Sequence, residues 1–336
     1  MKTDRVAGFD PTALRAGLKP LVPGAPVILT PEEDAYLRHY GIHFSEEFPG
    51  TAYRFGAVES DQHRIAAHLW VPAEPRGTAV VIHGYYDHTG LYGHLIRHLI
   101  DGGFAVVSFD LPGHGLSSGA PASIDSFDHY VDAFEACMRA VEAHIPWPWF
   151  LFGQSTGGAI AMEWLLGRGH SRDSSPFSRV VLLAPLVRPY RWPLARVLYE
   201  VARRFVSERP RTFTDNAENP EFIAFLRDRD PLQARTLPVG WVTAMMEWRR
   251  RFEAYSASDI APLVIQGQSD TTVDWRYNLR VIERLFEPRI FYVPQARHHL
   301  VNESAEIRRQ IFQAIDGELA GALAGATARA PAKTVS

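Results

Sequence analysis

The sequence predicts an α/β protein in which a mostly parallel sheet is covered by helices on both faces. From about residue 53 onward, short apolar runs of strand length alternate with segments of helical periodicity. Several of these runs, including residues 77–83, are apolar almost throughout, as expected for strands buried on both faces. Between about residues 185 and 258 the alternation stops and helical patterns alone remain, which indicates a helical insertion.

The first part of the chain, residues 1–50, is predicted to be a leader with one short helix. Thr30, Pro31 and Glu33 supply the hydroxyl, the first-turn proline and the glutamate of a capping box. Gly41 follows as a stop signal, so the helix should lie between these two points.

The core is predicted in two parts, residues 51–184 and 259–316, separated by a helical cap at 185–258. The tail, residues 317–336, is rich in alanine and glycine and is expected to be disordered. Helices are predicted at residues 91–100 and 126–144, and after the glycines at 157–158. The predicted strands cover residues 53–58, 65–71, 77–83, 104–109, 149–152, 180–183, 262–265 and 289–293.

Composition limits the possible functions. The 336 residues are 46% hydrophobic and 22% charged, which is ordinary for a folded protein with a sizeable core. The formal net charge of −3 gives no overall attraction to nucleic acid, and no nucleic-acid partner is expected. The single cysteine, Cys137, excludes an internal disulfide framework. No signal-like N-terminus and no run of 18 apolar residues occurs, so we expect a soluble, cytoplasmic protein.

The clearest chemical signal is a G-x-S-x-G pentapeptide at residues 153–157, which lies between a predicted strand and a predicted helix. In such an elbow the serine sits on a strained turn that exposes its Oγ, and the flanking glycines leave room for the turn. The pentapeptide alone is equally consistent with a glycine-rich turn that has no chemical role. Its strand–turn–helix context favours Ser155 as a nucleophile.

A serine nucleophile needs a base and a group that orients the base. In this topology the acid and then the histidine follow the serine, on loops at the carboxyl ends of strands. Asp270 and Asp274 follow the run at 262–265, and His298 and His299 follow the next. A loop aspartate is usually a turn former and a histidine pair is usually solvated, but their joint order favours a catalytic role.

When a serine nucleophile attacks a carbonyl carbon, the oxyanion that forms needs backbone donors. The N–H of Thr156 lies at the start of the predicted helix, where the helix dipole favours negative charge. A second donor is expected in the loop after residues 77–83, and we assign it to the N–H of Tyr85. His83 precedes the other candidates in the wrong order, so we expect it to bond loop backbone instead.

Together these motifs resemble the monoglyceride lipase and lysophospholipase branch of the serine α/β-hydrolases, which includes serine aminopeptidase-like members. The resemblance covers about residues 53–315 and implies the α/β-hydrolase fold. It also implies a Ser155, His298 and Asp270 triad, an acyl-enzyme intermediate, and a monoacylglycerol or lysophospholipid substrate. The matching segments are residues 82–88, 110–119, 153–157, 267–270 and 298–303.

The register of the last segment selects the base, because Leu300, Asn302 and Glu303 match the family pattern when His298 is the catalytic histidine. His299 then stands where the family often has glutamate. The chain departs from the family at Gln154 and Thr156, where histidine and methionine are common, and at Tyr85 and Tyr86, where small residues are usual. These departures leave the triad intact but predict an unusual acyl pocket.

The cap at 185–258 is expected to cover the site and to supply the acyl pocket. Its aromatic residues and methionines recur at helical spacing, a pattern that packing against the core would explain equally well. The candidate substrate-binding residues are Tyr86, Trp192, Trp241, Met245 and Trp248, with Met246 as a further candidate.

A basic segment occupies residues 188–211, where seven arginines stand against two acids among apolar residues at helical spacing. Such a segment can rest on an anionic membrane surface or meet a phosphate-bearing head group. A solvated, arginine-rich helix face is an equally good explanation. The chain is therefore expected to be cytoplasmic, with peripheral membrane contact as one possibility.

Other classes fit less well. Ser155 excludes hydrolases that use an aspartate nucleophile, the Gly-Gly-Pro-Gly loop typical of proline iminopeptidases is absent, and the histidines lack metal-ligand spacing. No metal and no cofactor are expected. The sequence is also consistent with a small-ester carboxylesterase or an acyltransferase that uses the same triad. A peptidase or a non-catalytic binding protein is less favoured. The sequence does not indicate the oligomeric state.

Overall fold

The computed structural model describes residues 8–25 and 28–326. Within them, eight strands form one sheet, and all eight predicted strands are present. They are β1 Ala52–Glu59, β2 Arg64–Val71, β3 Thr78–Ile82, β4 Ala105–Phe109, β5 Trp149–Gln154, β6 Phe177–Leu183, β9 Leu263–Gly267 and β10 Arg289–Val293. Their order in the sheet is β1-β2-β4-β3-β5-β6-β9-β10. The pairs β1/β2 and β2/β4 are antiparallel and the remaining pairs of this sheet are parallel.

Helices cover both faces of this sheet. On β3, Val80 and Ile82 belong to one apolar cluster while Ala79 and Val81 belong to the other, because successive side chains of a strand point to opposite faces. The predicted α/β class is confirmed. The helices are α1 Pro11–Gly17, α2 Pro31–Tyr40, α3 Gly93–Asp101, α4 Asp128–Val141, α5 Thr156–Gly167, α6 Trp192–Ala202, α7 Pro220–Asp228, α8 Val239–Phe252, α9 Trp275–Leu285 and α10 Ala305–Ala326.

The N-terminal segment holds two helices where the sequence predicts one. The predicted helix is α2, in which the Thr30 side chain accepts a hydrogen bond from the Glu33 N–H and the Glu33 side chain accepts one from the Thr30 N–H. Gly41 ends it in the left-handed conformation, with φ of 64°. The additional helix, α1, is only seven residues long. It buries Leu14 in the apolar cluster that also contains Tyr36 and Leu37 of α2.

The first part of the C-terminal tail, which the sequence predicts to be disordered, is helical in the structure, because α10 continues through residue 326. The buried residues Ile311, Ile315, Leu319 and Ala322 continue a helical spacing onto the sheet. Glu318 is also buried and pairs with Arg179 and Arg289. The prediction for residues 317–326 is therefore wrong, since tertiary contacts stabilise a composition that looks unstructured. The rest of the predicted tail, residues 327–336, lies outside the described part of the chain.

The segment at 185–258 contains α6, α7 and α8 as expected, and it also contains two short strands that the sequence does not reveal. Strands β7 Glu208–Pro210 and β8 Thr236–Pro238 pair antiparallel, and each is three residues long and ends in proline. Such strands are too short to show a period of two. Among the helices of the described residues, none has both the length and the apolar character needed to cross a bilayer.

Candidate active site

The pentapeptide at 153–157 forms a sharp turn between β5 and α5. Ser155 has φ of 53° and ψ of −112°, a strained conformation for a residue with a side chain. A Cβ on Gly153 would lie 2.5 Å from the carbonyl oxygen of Gly157, and a Cβ on Gly157 would lie 2.2 Å from that of Ile82. Both flanking glycines are therefore required by close backbone contacts.

Three of the predicted residues meet at this turn. The Nε2 of His298 lies 2.9 Å from the Oγ of Ser155, and its Nδ1 lies 2.7 Å from the Oδ2 of Asp270. All three side chains are buried. Because an ionised carboxylate only accepts hydrogen bonds, Nδ1 carries the proton and Nε2 is free to accept the serine hydroxyl. The arrangement is that of a nucleophile, a base and a group that orients the base.

Asp270 is itself held in place. Its Oδ1 accepts hydrogen bonds from the backbone N–H of Thr272 at 2.7 Å and of Val273 at 3.2 Å. Burial lowers the pKa of His298, but the charge and the hydrogen bond of Asp270 outweigh it, so the pKa is raised above the ordinary histidine value. The imidazolium that forms when His298 takes the serine proton is thus stabilised by Asp270.

The neighbouring candidates are engaged elsewhere. Asp274 caps α9 by accepting from the N–H of Tyr277, and it accepts a hydrogen bond from the Nη2 of Arg188 at 2.6 Å. The Nε2 of His299 lies 3.1 Å from the Oδ2 of Asp87. The structure therefore brings Asp270 and His298 to the serine and directs Asp274 and His299 to other partners.

The two residues that are predicted to supply oxyanion donors lie around the same space as Ser155. Tyr85 and Thr156 both line its cavity, and no acceptor for either N–H is found among the described residues. Tyr92 holds the loop that follows β3 and contains Tyr85. Its hydroxyl accepts a hydrogen bond from the Gly84 N–H and donates one to Asp87, both at 2.9 Å.

His83 supports the loops around this space. Its Nε2 accepts from the Leu111 N–H at 2.8 Å, so Nδ1 holds the proton and donates to the Gly84 carbonyl at 2.7 Å. Burial lowers the pKa of His83 to about 3, which keeps the ring neutral. The residue bonds loop backbone, as the sequence argument expects.

A cavity of about 320 Å³ opens above Ser155 and His298. Tyr86 and Trp241 of the predicted pocket line it, and the Trp241 ring stacks on that of Tyr85 at 3.8 Å between centroids. The sequence does not indicate most of the other lining residues, because they come from separate loops and helices. The apolar ones are Leu186, Pro189, Phe213, Ile223, Leu226, Leu237 and Val273, and the polar ones include Arg209, Arg211 and Asn216.

Trp192, Met245 and Trp248 are not among the described residues that line this cavity, which corrects their predicted role. Trp248 stacks on Phe127 at 4.8 Å and donates from Nε1 to Glu163 at 3.0 Å, so it belongs to the core. Met245 is fully buried, and Trp192 is buried beneath the guanidinium of Arg249. Helical spacing identifies the buried face of α8 but does not distinguish a core contact from a pocket wall.

The model of the family described as "Serine aminopeptidase, S33" matches residues 73–305, more than half of the chain. The chain belongs to this family. The match spans the elbow, the loop of Asp270 and the loop of His298, so the family covers every residue of the site described above.

Similar proteins support the branch that the sequence resembles, the monoglyceride lipases and lysophospholipases. The chain is 26% identical over 251 residues to the monoacylglycerol lipase of Mycolicibacterium smegmatis, covering 71% of this chain and 88% of that protein. It is 36% identical over 96 residues to phospholipase YtpA of Bacillus subtilis, covering 29% of this chain and 37% of that protein.

Among solved structures, a soluble variant of Saccharomyces cerevisiae monoglyceride lipase in complex with a substrate analog aligns with a TM-score of 0.66. The identity is 18%, and the alignment covers 79% of this chain and 94% of that chain. The α/β-hydrolase fold and the predicted branch are confirmed, and the protein is a serine ester hydrolase.

Proposed function

We propose that the protein hydrolyses monoacyl, lipid-like esters, either monoacylglycerols or lysophospholipids, through Ser155, His298 and Asp270. The observation that carries this proposal is the unbroken hydrogen-bonded chain from Asp270 through His298 to the Oγ of Ser155, which lines a largely apolar cavity. The names of the relatives, monoacylglycerol lipase and phospholipase, support the substrate class.

The proposed reaction has two halves. The Ser155 Oγ attacks the ester carbonyl carbon while the Nε2 of His298 takes its proton, and the backbone N–H groups of Tyr85 and Thr156 stabilise the oxyanion. The intermediate collapses, the alcohol leaves with the proton from His298, and an acyl-enzyme remains. Water, deprotonated by the same histidine, then attacks the acyl carbon. The bond between this carbon and the Ser155 Oγ breaks, the Oγ takes back the proton from His298, and the fatty acid is released.

A substrate panel tests this proposal. Pure protein should hydrolyse p-nitrophenyl esters and at least one of octanoylglycerol or an octanoyl lysophospholipid, and Ser155→Ala should lose both activities. Gly17→Ala, at an exposed site where a Cβ meets nothing within 4 Å, is the matched control and should behave as wild type. Hydrolysis of p-nitrophenyl esters with none of the lipid esters would instead describe a small-ester carboxylesterase. Transfer of octanoate to added glycerol as the main product would describe an acyltransferase.

We also propose that the surface of α6 and the chain after it contacts anionic membranes. Leu194, Val197 and Phe205 expose 58%, 62% and 81% of their surface, which is unusual for large apolar side chains. The exposed arginines 191, 196, 203 and 204 lie among them. Apolar groups flanked by cations match the interface of a bilayer with anionic lipids.

Vesicle sedimentation tests this contact. The protein should bind vesicles that contain phosphatidylglycerol, bind pure phosphatidylcholine far less, and dissociate as salt rises because such contacts are screened. Phe205→Ser should weaken binding severalfold, whereas Ile28→Ser should not, although Ile28 is 90% exposed. Equal binding to both vesicle types, or equal effects of both variants, would contradict the contact.

A further inference from the structure

Two arginines line the cavity of Ser155. Arg211 is partly buried and Arg209 is exposed, and neither forms an ion pair with a carboxylate among the described residues. The carboxylate that shares this lining, Asp87, lies 3.1 Å from the Nε2 of His299 and accepts the hydroxyl of Tyr92. Two guanidinium groups therefore line the same cavity as the reacting serine.

Arg211 is held in a fixed position. Its guanidinium lies over the rings of Tyr86 and Phe213, at 3.9 and 4.4 Å from their centroids. Its Nη1 donates to the side-chain oxygen of Gln233 and lies 3.4 Å from the carbonyl oxygen of Ala234. Stacking and hydrogen bonding together fix the plane of the guanidinium, so little side-chain entropy is left to lose when a ligand binds.

Gln233 connects this arginine to buried groups. Its Nε2 donates to the carbonyl oxygen of Tyr86 at 3.0 Å and to the Oδ2 of Asp230 at 2.8 Å. Asp230 in turn lies 3.1 Å from the Nε2 of His88 and accepts the hydroxyl of Tyr40 at 2.7 Å. Asp230 is thus occupied by other partners and does not serve as the counter-ion of Arg211.

One edge of the Arg211 guanidinium is left without a partner. The Nε and Nη2 groups have no acceptor among the described residues, and these two donors form the edge that binds carboxylate or phosphate oxygens in a bidentate manner. A charged group that is partly removed from water and lacks a counter-ion is costly unless a ligand supplies one. Burial also lowers the pKa of Arg211, although a guanidinium stays charged in proteins.

The other arginines of the basic segment do not share this placement. Arg188 pairs with Asp274 and Arg203 pairs with Glu200. Of the arginines in residues 188–211, Arg209 and Arg211 are those that the described structure places at the cavity.

We propose that Arg211, assisted by Arg209, forms a subsite for a phosphate group in the alcohol portion of the ester substrate. The alcohol portion is favoured because the acyl chain requires the apolar part of the wall, formed by residues such as Leu226 and Leu237. The inference rests on the proposed function and selects, within it, phosphate-bearing monoacyl esters over neutral monoacylglycerols.

The test compares two substrates with the same acyl chain, 1-octanoylglycerol and 1-octanoylglycerol 3-phosphate. Wild type should prefer the phosphorylated ester in kcat/KM. Arg211→Gln should lower kcat/KM for it by about 10- to 100-fold, the size expected for loss of a charge-assisted hydrogen-bonded pair, and change the neutral ester by less than about threefold. Arg211→Lys should fall between them because it keeps the charge but loses the bidentate edge.

Arg235→Gln is the matched control. The Arg235 guanidinium also lies near the Phe213 ring, at 5.2 Å, but Arg235 is exposed and is not among the described residues that line the cavity. It should leave both substrates unchanged. Equal losses on both esters in Arg211→Gln would assign Arg211 a purely structural role and overturn the subsite, as would no loss on either.

A binding measurement separates this inference from the proposed function. Glycerol 3-phosphate should bind wild-type protein and Ser155→Ala alike in calorimetry, and bind Arg211→Gln at least tenfold more weakly. Absence of ester hydrolysis with this binding intact would refute the proposed function alone. Hydrolysis of neutral esters without any binding of glycerol 3-phosphate would refute the subsite alone.

Discussion

The elbow at residues 153–157 and the segment at 185–258 differ in how they place their side chains. Ser155, Asp270 and His298 lie on short loops beside β5, β9 and β10, where each polar atom of the triad has a buried partner. In the segment at 185–258, by contrast, large apolar side chains such as Leu194 are exposed. The residues of this segment that line the cavity are far apart in the chain. The sheet thus positions the triad residues, while the segment at 185–258 supplies much of the cavity wall beside them.

The largest effect should come from removing the nucleophile or the base. Ser155→Ala and His298→Ala should each lower kcat on p-nitrophenyl butyrate by about 10⁴- to 10⁶-fold, because only the oxyanion donors and binding then contribute to catalysis. His299→Ala is the control for the histidine pair and should stay within about tenfold of wild type. An inactive His299→Ala with an active His298→Ala would place the base one residue later.

The acid pair gives the next largest contrast. Asp270→Asn should lower kcat by about 10⁴-fold, because the amide no longer holds the histidine in the required tautomer. Asp274→Asn should keep most activity, since asparagine still caps α9 and only the pairing with Arg188 is lost. Steady-state kinetics of the two folded variants decides between them, and the reverse ranking would remove Asp270 from the triad.

Two tryptophans on α8 should separate stability from selectivity. Trp248→Ala should lower the free energy of unfolding by about 3–5 kcal/mol, as expected when a buried aromatic ring is removed, and leave acyl-chain preference unchanged. Trp241→Ala should instead change the ratio of kcat/KM between butyrate and decanoate esters severalfold, because this ring lines the cavity. Urea titrations and ester kinetics on both variants measure this, and identical behaviour would deny any division within α8.

The pH dependence tests the role of His298 in the wild-type protein. The base must be neutral to accept the serine proton, and the pKa of His298 is raised, so kcat/KM should climb about tenfold per pH unit and level off above the ordinary histidine value of about 6.5. Asp270→Asn should move the midpoint of its residual activity to lower pH, since it removes the charge that raises this pKa. A wild-type profile that is flat between pH 5 and 8 would argue against His298 as the base.

The parts of the molecule that the sequence predicts well are those fixed by local pattern. The elbow requires the glycines that flank Ser155, and the buried strands require short apolar runs. Both signals lie within a few neighbouring residues and can be recognised without knowledge of the tertiary structure. Helix α1 has local signals, the Asp10 cap and Pro11 in its first turn, but its seven residues are too few to show a helical period. The sequence does not predict the end of α10 to be helical because its alanines and glycines conceal its buried face.

The cavity wall could not be predicted for a related reason. Arg211 gains its setting from Tyr86 and Gln233, which belong to separate parts of the chain. Met245 and Trp248 share the helical spacing of Trp241, and only the packing of α8 against Phe127 and Glu163 reveals which of them faces the core. Local pattern therefore identifies the reacting groups better than the residues that select the substrate.

The central claim is that Ser155 is the nucleophile, and active-site labelling tests it most directly. A fluorophosphonate should react once per chain, with the serine Oγ bonding to phosphorus as fluoride leaves, and peptide mass spectrometry should find the adduct on Ser155. Labelling should be absent in Ser155→Ala and strongly slowed in His298→Ala, because the base activates the hydroxyl. Stoichiometric labelling of another residue, or undiminished labelling of folded Ser155→Ala, would contradict the account.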